Sequence, residues 1–484
     1  MHHELCYIIP KTNYSLMTIG NYHFFRNRNK FFIYDMLNNL LLFAKNETDY
    51  KILQDILERF SMGKNITLEE RRKYKLILSN FSDIRSIVNS EDFLNKNMIL
   101  STKLTLMLAQ TCNLKCKYCY GDEGRFGTCG EYMSKETAEQ SIRYLVNRFE
   151  LFEINESVPP HYYITFFGGE PLINFEVMKH VIEFVEQEYP DKSFSYTFTT
   201  NGTLFTKKNV DFLKNKNISI LISIDGTKEI HDANRIFRNG RGSFEKVMAN
   251  IALLKKNNMK FSVRATLSNE FFKYYETIIP FFSKLGAQRT YIARLNKYDI
   301  DSLNFDLNID ELKQDAKYIS AYANKTKKRI LKGERPDYIP FLTILQRIHE
   351  ATDSLMSCGF MKGTTAVACN GDMYPCHRFV GIDGFKFGNV YNGFDDNALK
   401  KIAKNIDVAT IECNSCWAKY ICKRGCLRDI AKNHGCFIRF DKRYCDLQRK
   451  SIELALETFH ELIKFQPDFI KELSNKEIEI YNIV

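Results

Sequence analysis

The sequence predicts an α/β fold built on parallel strands, followed by a separate cysteine-rich module. From about residue 104, short apolar runs alternate about six times with longer amphipathic stretches. Strand, helix and strand in repetition imply right-handed parallel crossovers, hence an α/β barrel or a doubly wound sheet. Nine of the fourteen cysteines lie between Cys358 and Cys445, after a gap that begins at Cys129. That asymmetry sets a C-terminal module apart from whatever holds the earlier cysteines.

Length and composition agree with such a chain. At 484 residues and 44% hydrophobic, it is long enough for two to four packed domains. The basic excess behind the net charge of +11 is scattered along the chain, which speaks for solubility more than for an acidic partner. No segment has the apolar length of a membrane span, and "MHHELCYIIPKTNYS" lacks a signal-peptide pattern. The expectation is a cytoplasmic protein with neither membrane nor nucleic acid as partner, in which cysteines serve metal or redox chemistry instead of disulfides.

The first hundred residues do not follow the alternation. "HFFRNRNKFFIYDMLNNLLLFAKN" reads as two or three short strands with turns at "NRN" and "NN", and "ETDYKILQDILERFS" as an amphipathic helix. A capping box, Thr67 to Glu70, opens a second helix in "TLEERRKYKLILSNFS". Strand edges such as "KFFIYDM" offer backbone groups to an added strand.

The repeating part predicts strands at "LTLML" (104–108), "YITFF" (163–167), "FSYTFTT" (194–200), "ISILISI" (218–224), "FSVRATL" (261–267) and "RTYIARL" (289–295). Helices are expected at 134–150, 175–188, 243–257 and 271–285, where apolar residues recur at helical spacing. Turn residues follow the first four strands: "TCNLKCKYCY", "GGEP", "NG" and "DG". Ligands of α/β folds bind at the carboxyl ends of strands, so these turns are expected to converge.

The first turn holds the chemistry. Cys112, Cys116 and Cys119 are spaced with three and then two intervening residues and have no nearby fourth cysteine partner. Structural zinc takes four ligands, whereas an iron–sulfur cluster on three thiolates leaves one iron open to a small molecule. Cys6, Cys129 and Cys436 fit no set and read most simply as small buried hydrophobes.

This triplet, with Tyr118 before its last cysteine, resembles the signature of the radical S-adenosylmethionine (SAM) superfamily. "GGEP", "SIDG" and "HDANRIFRNGRGSF" resemble segments of its SPASM branch, and the likeness runs from about residue 104 to 450. The resemblance implies a partial (β/α)6 TIM-like barrel at 100–300. It also implies a [4Fe–4S] cluster on Cys112, Cys116 and Cys119 that chelates SAM and yields a 5′-deoxyadenosyl radical. Gly168, Gly169 and Glu170 would meet the SAM amino group, helix capping ahead of Pro171 being the structural alternative for Glu170. Ser223 and Arg235 would reach the ribose or carboxylate, a salt bridge being the alternative for Arg235.

The C-terminal cysteines resemble a SPASM domain at 350–450. The resemblance assigns Cys358, Cys376 and Cys426 to one auxiliary four-iron cluster, with Cys369 or a substrate thiolate as its fourth ligand. Cys413, Cys416, Cys422 and Cys445 would hold another, for three clusters in all. The alternative is a pair of structural zinc sites, which the C-x₂-C spacing permits. A helical linker (301–349) and a helical tail (451–484) complete the expected organisation.

Two activities follow from the resemblance. Sulfatase-maturing enzymes generally carry Asp after the cysteine of "YPC"; here His377 stands in "YPCHRF", which is closer to maturases that install thioethers in ribosomally made peptides. Residues 1–95 resemble a winged-helix-like RiPP recognition element that binds a leader peptide through a sheet edge. The expected partners are thus a leader-bearing precursor peptide and an electron donor such as flavodoxin or ferredoxin. Formylglycine formation, carbon–carbon crosslinking, epimerisation and a non-catalytic peptide-binding scaffold remain as alternatives.

Overall fold

In this computed structural model the described residues are 17–19, 21–27, 30–36, 40–44, 46–64, 66–73, 102–150, 160–267, 274–294, 309–334, 339–350, 360, 364–422, 426–432, 436–437, 442–466, 468–469 and 473. Cys6 and Cys358 lie outside them.

The N-terminal part is a four-stranded antiparallel meander: β1 (Met17–Ile19), β2 (Tyr22–Asn27), β3 (Lys30–Asp35) and β4 (Leu40–Ala44). Helices α1 (Glu47–Ser61) and α2 (Leu68–Lys73) follow. Alternation along the strands divides the sheet into two buried faces. Tyr22, Phe24, Phe31 and Ile33 pack with Tyr50, Leu53 and Leu57 of α1, while Phe25, Phe32 and Tyr34 join the main core of the molecule. The strand "KFFIYD" pairs with β2 on one side and β4 on the other. It is therefore interior, and the edges of this sheet are β1 and β4, a correction to the expectation that "KFFIYDM" is a free edge. The capping box forms as read: Thr67 Oγ1 accepts from the Glu70 amide at 3.1 Å, and a Glu70 carboxylate oxygen accepts from the Thr67 amide at 2.8 Å.

The central sheet begins with β5 (Lys103–Ala109), β6 (His161–Gly168), β7 (Ser193–Thr200), β8 (Ile218–Ser223), β9 (Ser262–Leu267) and β10 (Thr290–Arg294), each parallel to the one before. The crossovers carry α3 (Lys135–Glu150), α4 (Phe175–Glu188), α5 (Lys207–Leu213), α6 (Phe244–Lys256) and α7 (Tyr275–Leu285). Outward residues such as Ile164, Phe166, Phe198, Ile222, Val263 and Ala265 are fully buried. Inward positions include Thr165, Phe167, Thr197, Ser219 and Arg264.

Beyond β5 the sheet continues into the C-terminal module. Helices α8 (Ile309–Leu331) and α9 (Ile339–Glu350) lead to β11 (Thr364–Val367), which pairs parallel to β5. Three short antiparallel strands, β12 (Asp372–Tyr374), β13 (Gly388–Asn389) and β14 (Gly393–Phe394), extend it. Helices α10 (Asp396–Ala409) and α11 (Lys442–Phe465) follow, and α11 packs on α8 and α9 while running through the expected boundary at 450. Among the described residues no helix is long and apolar enough to cross a membrane.

Candidate active site at the barrel mouth

The four turns named by the sequence meet at the carboxyl ends of β5 to β8. The cysteine loop after β5 is strapped to the segment 234–237 by backbone bonds from Lys115 to Ile236 and from Lys117 to Asn234 (2.7 and 3.0 Å). Arg238 adds a bond to the Cys112 carbonyl at 2.8 Å. "HDANRIFR" thus serves as a scaffold for the loop, in which buried His231 bonds Ser243 at 2.9 Å.

The glycine pair brings two backbones together. A Cβ at Gly168, where φ is +134°, would stand 2.2 Å from the Ala109 carbonyl, and one at Gly169 would stand 2.2 Å from that of Thr111. Only glycine permits this approach. The amides of Gly169 and Glu170 then donate to those carbonyls at 2.8 and 3.0 Å.

The Glu170 side chain is fully buried. It accepts from the Leu172 amide (3.0 Å), the Thr200 hydroxyl (2.8 Å) and the Asn201 amide (2.7 Å). Burial pushes its carboxyl up to about 7 in spite of those bonds. Its capping role ahead of Pro171 is formed, and through Asn201 it bears on the cysteines. The Asn201 side-chain amide stands 3.6 Å from the Cys112 sulfur and 2.8 Å from Asn113 Oδ1.

The fourth turn, "DG", supplies an anchor through its aspartate, a residue with no separate role in the sequence reading. Asp225, with no exposed surface, accepts from the Thr266 amide at 2.9 Å and from the Tyr118 hydroxyl, and pairs with Arg235 at 3.0 Å. The Arg235 guanidinium also lies 5.4 Å from the Tyr118 ring centroid. The ion pair weighed for Arg235 is therefore buried at the site and not on the surface. Ser223 ends β8 in register with Arg264.

Burial raises the Cys112 thiol to about 12, with the Glu170 charge adding to the effect, and raises Cys116 to about 11. A bare thiolate is disfavoured in such a place, and a thiolate whose charge is shared with bound metal is the stable form. Polar N–H groups already face the sulfurs: the Leu114 amide at 3.4 Å and Asn201 on Cys112, and the Arg235 side chain on Cys116. Donors aimed at buried sulfurs suit a thiolate-bound cluster. Among the described residues no group of three or more His, Cys, Asp or Glu is arranged to hold a single metal ion.

The C-terminal module closes over the mouth. Cys376, His377 and Arg378 follow β12, and the His377 ring lies 4.3 Å from Phe167, an inward residue of β6. Arg378 sits 5.3 Å from the Tyr120 ring centroid, donates to the Cys426 sulfur at 2.8 Å and pairs with Asp429 at 3.0 Å. Burial and the charges of Arg378 and Arg264 push His377 down to about 3, so its ring is neutral. Arg378 thus links Cys376 and Cys426, two of the cysteines expected for one auxiliary set.

The other set joins the segment 413–422 to the first turn of α11. The electrostatic neighbours of Cys422 are Cys416, Cys413 and Cys445, and burial pushes its thiol up to about 12. The Cys369 thiol turns to the barrel, donating to the Met107 carbonyl at 3.0 Å while its amide donates to Gln110 at 2.9 Å. Cys129 and Cys436 are exposed, which corrects their reading as buried hydrophobes. Cys129 lies in a glycine-rich loop whose buried apolar residue is Phe126, and Cys436 starts a two-residue strand.

Arg264 and Arg378 were missed by the sequence reading. The signal for Arg264 was present in "FSVRATL", where a charge alternates with the buried Phe261, Val263 and Ala265 and therefore faces inward.

Residues 106–278 match the radical SAM superfamily. The chain is 25% identical over 351 residues to the cysteine-type anaerobic sulfatase-maturating enzyme of Clostridium novyi (strain NT), covering 67% of this chain and 87% of that one. It is also 25% identical over 386 residues to the radical SAM cyclopropyl synthase TigE of Paramaledivibacter caminithermalis, covering 75% and 76%. The solved structure of native anSMEcpe with bound AdoMet and Cp18Cys peptide aligns with a TM-score of 0.61 at 22% identity, over 74% of this chain and 98% of that one. At that identity the likeness speaks for the fold. The family match runs from within β5 into α7, through every element that builds the cysteine loop and its scaffold, and over that span the chain is similar to the radical SAM superfamily.

Proposed function

We propose that this protein is a radical SAM peptide maturase that forms a thioether from a cysteine of a ribosomally made precursor. The observation that carries the proposal is the entry of Cys376, His377 and Arg378 into the mouth that holds Cys112, Cys116 and Cys119. A SAM-cleaving centre and an auxiliary sulfur centre would then face one cavity.

The triplet would hold a [4Fe–4S] cluster with SAM, which when bound supplies a 5′-deoxyadenosyl radical able to take a hydrogen atom from the peptide. Cys376, Cys426 and Cys358 would hold one auxiliary cluster, with Cys369 or the substrate thiolate as a further ligand; Cys413, Cys416, Cys422 and Cys445 would hold the other. The roles of this chain's own groups follow from their contacts. Asn201, oriented by Glu170, donates toward Cys112. Asp225 fixes Tyr118 and Arg235 beside Cys116. Phe167 and the His377 ring, packed on each other, would keep water from the mouth. Gly168, Gly169 and Ser223 line the end of the sheet where SAM would lie. The N-terminal sheet would bind the leader at β1 or β4, and a flavodoxin or ferredoxin would supply electrons.

The similarity to cysteine-type sulfatase-maturating enzymes favours a second reading, oxidation of a cysteine to formylglycine. One experiment separates the two: anaerobic reaction of the reconstituted protein with SAM, a reductant and a cysteine-containing peptide, read by mass. A thioether removes two hydrogen atoms and keeps the sulfur, whereas formylglycine loses it. An unchanged peptide with each precursor tried would reject both.

A further inference from the structure

Arg264 is the one permanently charged side chain at the inward positions of β6 to β9. It stands in register with Ser223 on β8 and Tyr291 on β10, near the carboxyl end of the sheet. The groups that act on its charge most strongly are Tyr120, Arg378, Arg235 and Tyr118, and the carboxylate of Asp225, which accepts from the Thr266 amide, is engaged by Arg235. The other two arginines are matched: Arg235 by Asp225 at 3.0 Å, and Arg378 by Asp429 at 3.0 Å and the Cys426 sulfur at 2.8 Å. Among the described residues the Arg264 guanidinium has no acidic partner, although burial already disfavours its charge. A half-buried cation kept near two others without a counter-charge of its own is favourably completed by an anion.

We infer that Arg264 binds a carboxylate of the peptide substrate, an Asp or Glu side chain placed in the barrel mouth. This rests on the peptide-maturase reading and narrows it to acidic core peptides. A guanidinium takes a carboxylate through two parallel hydrogen bonds. Held from β9, such a bond would fix the peptide across the cavity from the cysteine loop, which is what hydrogen abstraction at one carbon requires. The methionyl carboxylate of SAM has the same chemistry, and the test separates the two sources.

The probes are a capped octapeptide containing one Cys and one Glu, the same peptide with Gln for Glu, and SAM alone. Each is titrated calorimetrically into reconstituted full-length protein, wild type, Arg264→Gln and Arg264→Lys. The Glu peptide should bind wild type about tenfold more tightly than the Gln peptide, a difference of about 1.4 kcal/mol. Arg264→Gln should bring the ratio near one without changing SAM affinity, and Arg264→Lys should keep part of the preference, showing that charge and not folding is read. A ratio near one in wild type, or a preference that survives in Arg264→Gln, overturns the inference. Loss of SAM affinity in Arg264→Gln, with the peptide ratio intact, assigns the arginine to the cofactor and also overturns it. An intact preference with no peptide ever modified upholds the carboxylate site while rejecting the maturase reading.

Discussion

Two groups of cysteines in this chain are built in opposite ways. Cys112, Cys116 and Cys119 sit within one loop at a strand end, and their positions are set by backbone bonds to 234–237 and by turns of the adjoining strands. Cys413, Cys416, Cys422 and Cys445 are gathered from two short helices (Ile411–Asn414 and Lys419–Cys422), the connection between them and the first turn of α11. The first site is preformed by the fold around it. The second brings separate segments together, so bound metal there would contribute to the folding of the module. Removing ligands should therefore damage chemistry at one site and stability at the other.

The largest contrast is expected from that exchange. Cys413→Ala should lower stability by about 3 kcal/mol or more and shift the melting transition in a calorimetric scan, while its soluble fraction still cleaves SAM. Changing Cys112, Cys116 and Cys119 together to Ala should leave the transition near that of wild type. Equal destabilisation by both variants would erase the distinction.

The same contrast explains what was legible. The triplet and the six parallel strands rest on local patterns of spacing and alternation, and the expected strands differ from those formed by one or two residues at their ends. What stayed hidden depends on contacts between distant segments. β11 to β14 are two to four residues long, too short for a periodic signal, and exist because β5 offers an edge. Asp225 looked like a turn residue because Tyr118, Arg235 and Thr266 reach it only in the fold. "KFFIYD" looked like an edge because "LLLFA" pairs with it only after a turn.

A smaller effect tests how the N-terminal sheet meets the metal-bearing module. His23 of β2 stacks on Trp417, beside Cys416, with ring centroids 3.7 Å apart and planes 5° apart, and bonds Glu453 of α11 at 3.2 Å. Trp417 is the chain's single tryptophan, so its fluorescence reports this contact. His23→Ala should shift the emission to the red and cost about 1 kcal/mol. Burial holds the His23 imidazole below its usual value, with Arg449 and Lys450 lowering it further and Glu453 opposing them. A base depressed by folding takes up its proton first in the unfolded chain, so this contribution is present above about pH 6.5 and is lost as pH falls below it. Stability that rises on acidification through that range, and does so only when His23 is present, would contradict this.

The smallest effect belongs to the capping box that opens α2. Thr67→Ala removes one half of the capping box and should cost about 1 kcal/mol or less, read as a modest shift in denaturant midpoint. SAM cleavage should be unchanged; a loss of cleavage would mean that the N-terminal helices act on the barrel mouth.

The most direct measurement is the amount of 5′-deoxyadenosine formed from SAM by anaerobically reconstituted, reduced protein, compared with the variant in which Cys112, Cys116 and Cys119 are all Ala. Wild type should produce it in amounts that grow with time, and the variant should produce none above background while remaining folded. No product from wild type carrying its full iron, or equal product from the variant, would contradict the assignment of the triplet as the SAM-cleaving centre.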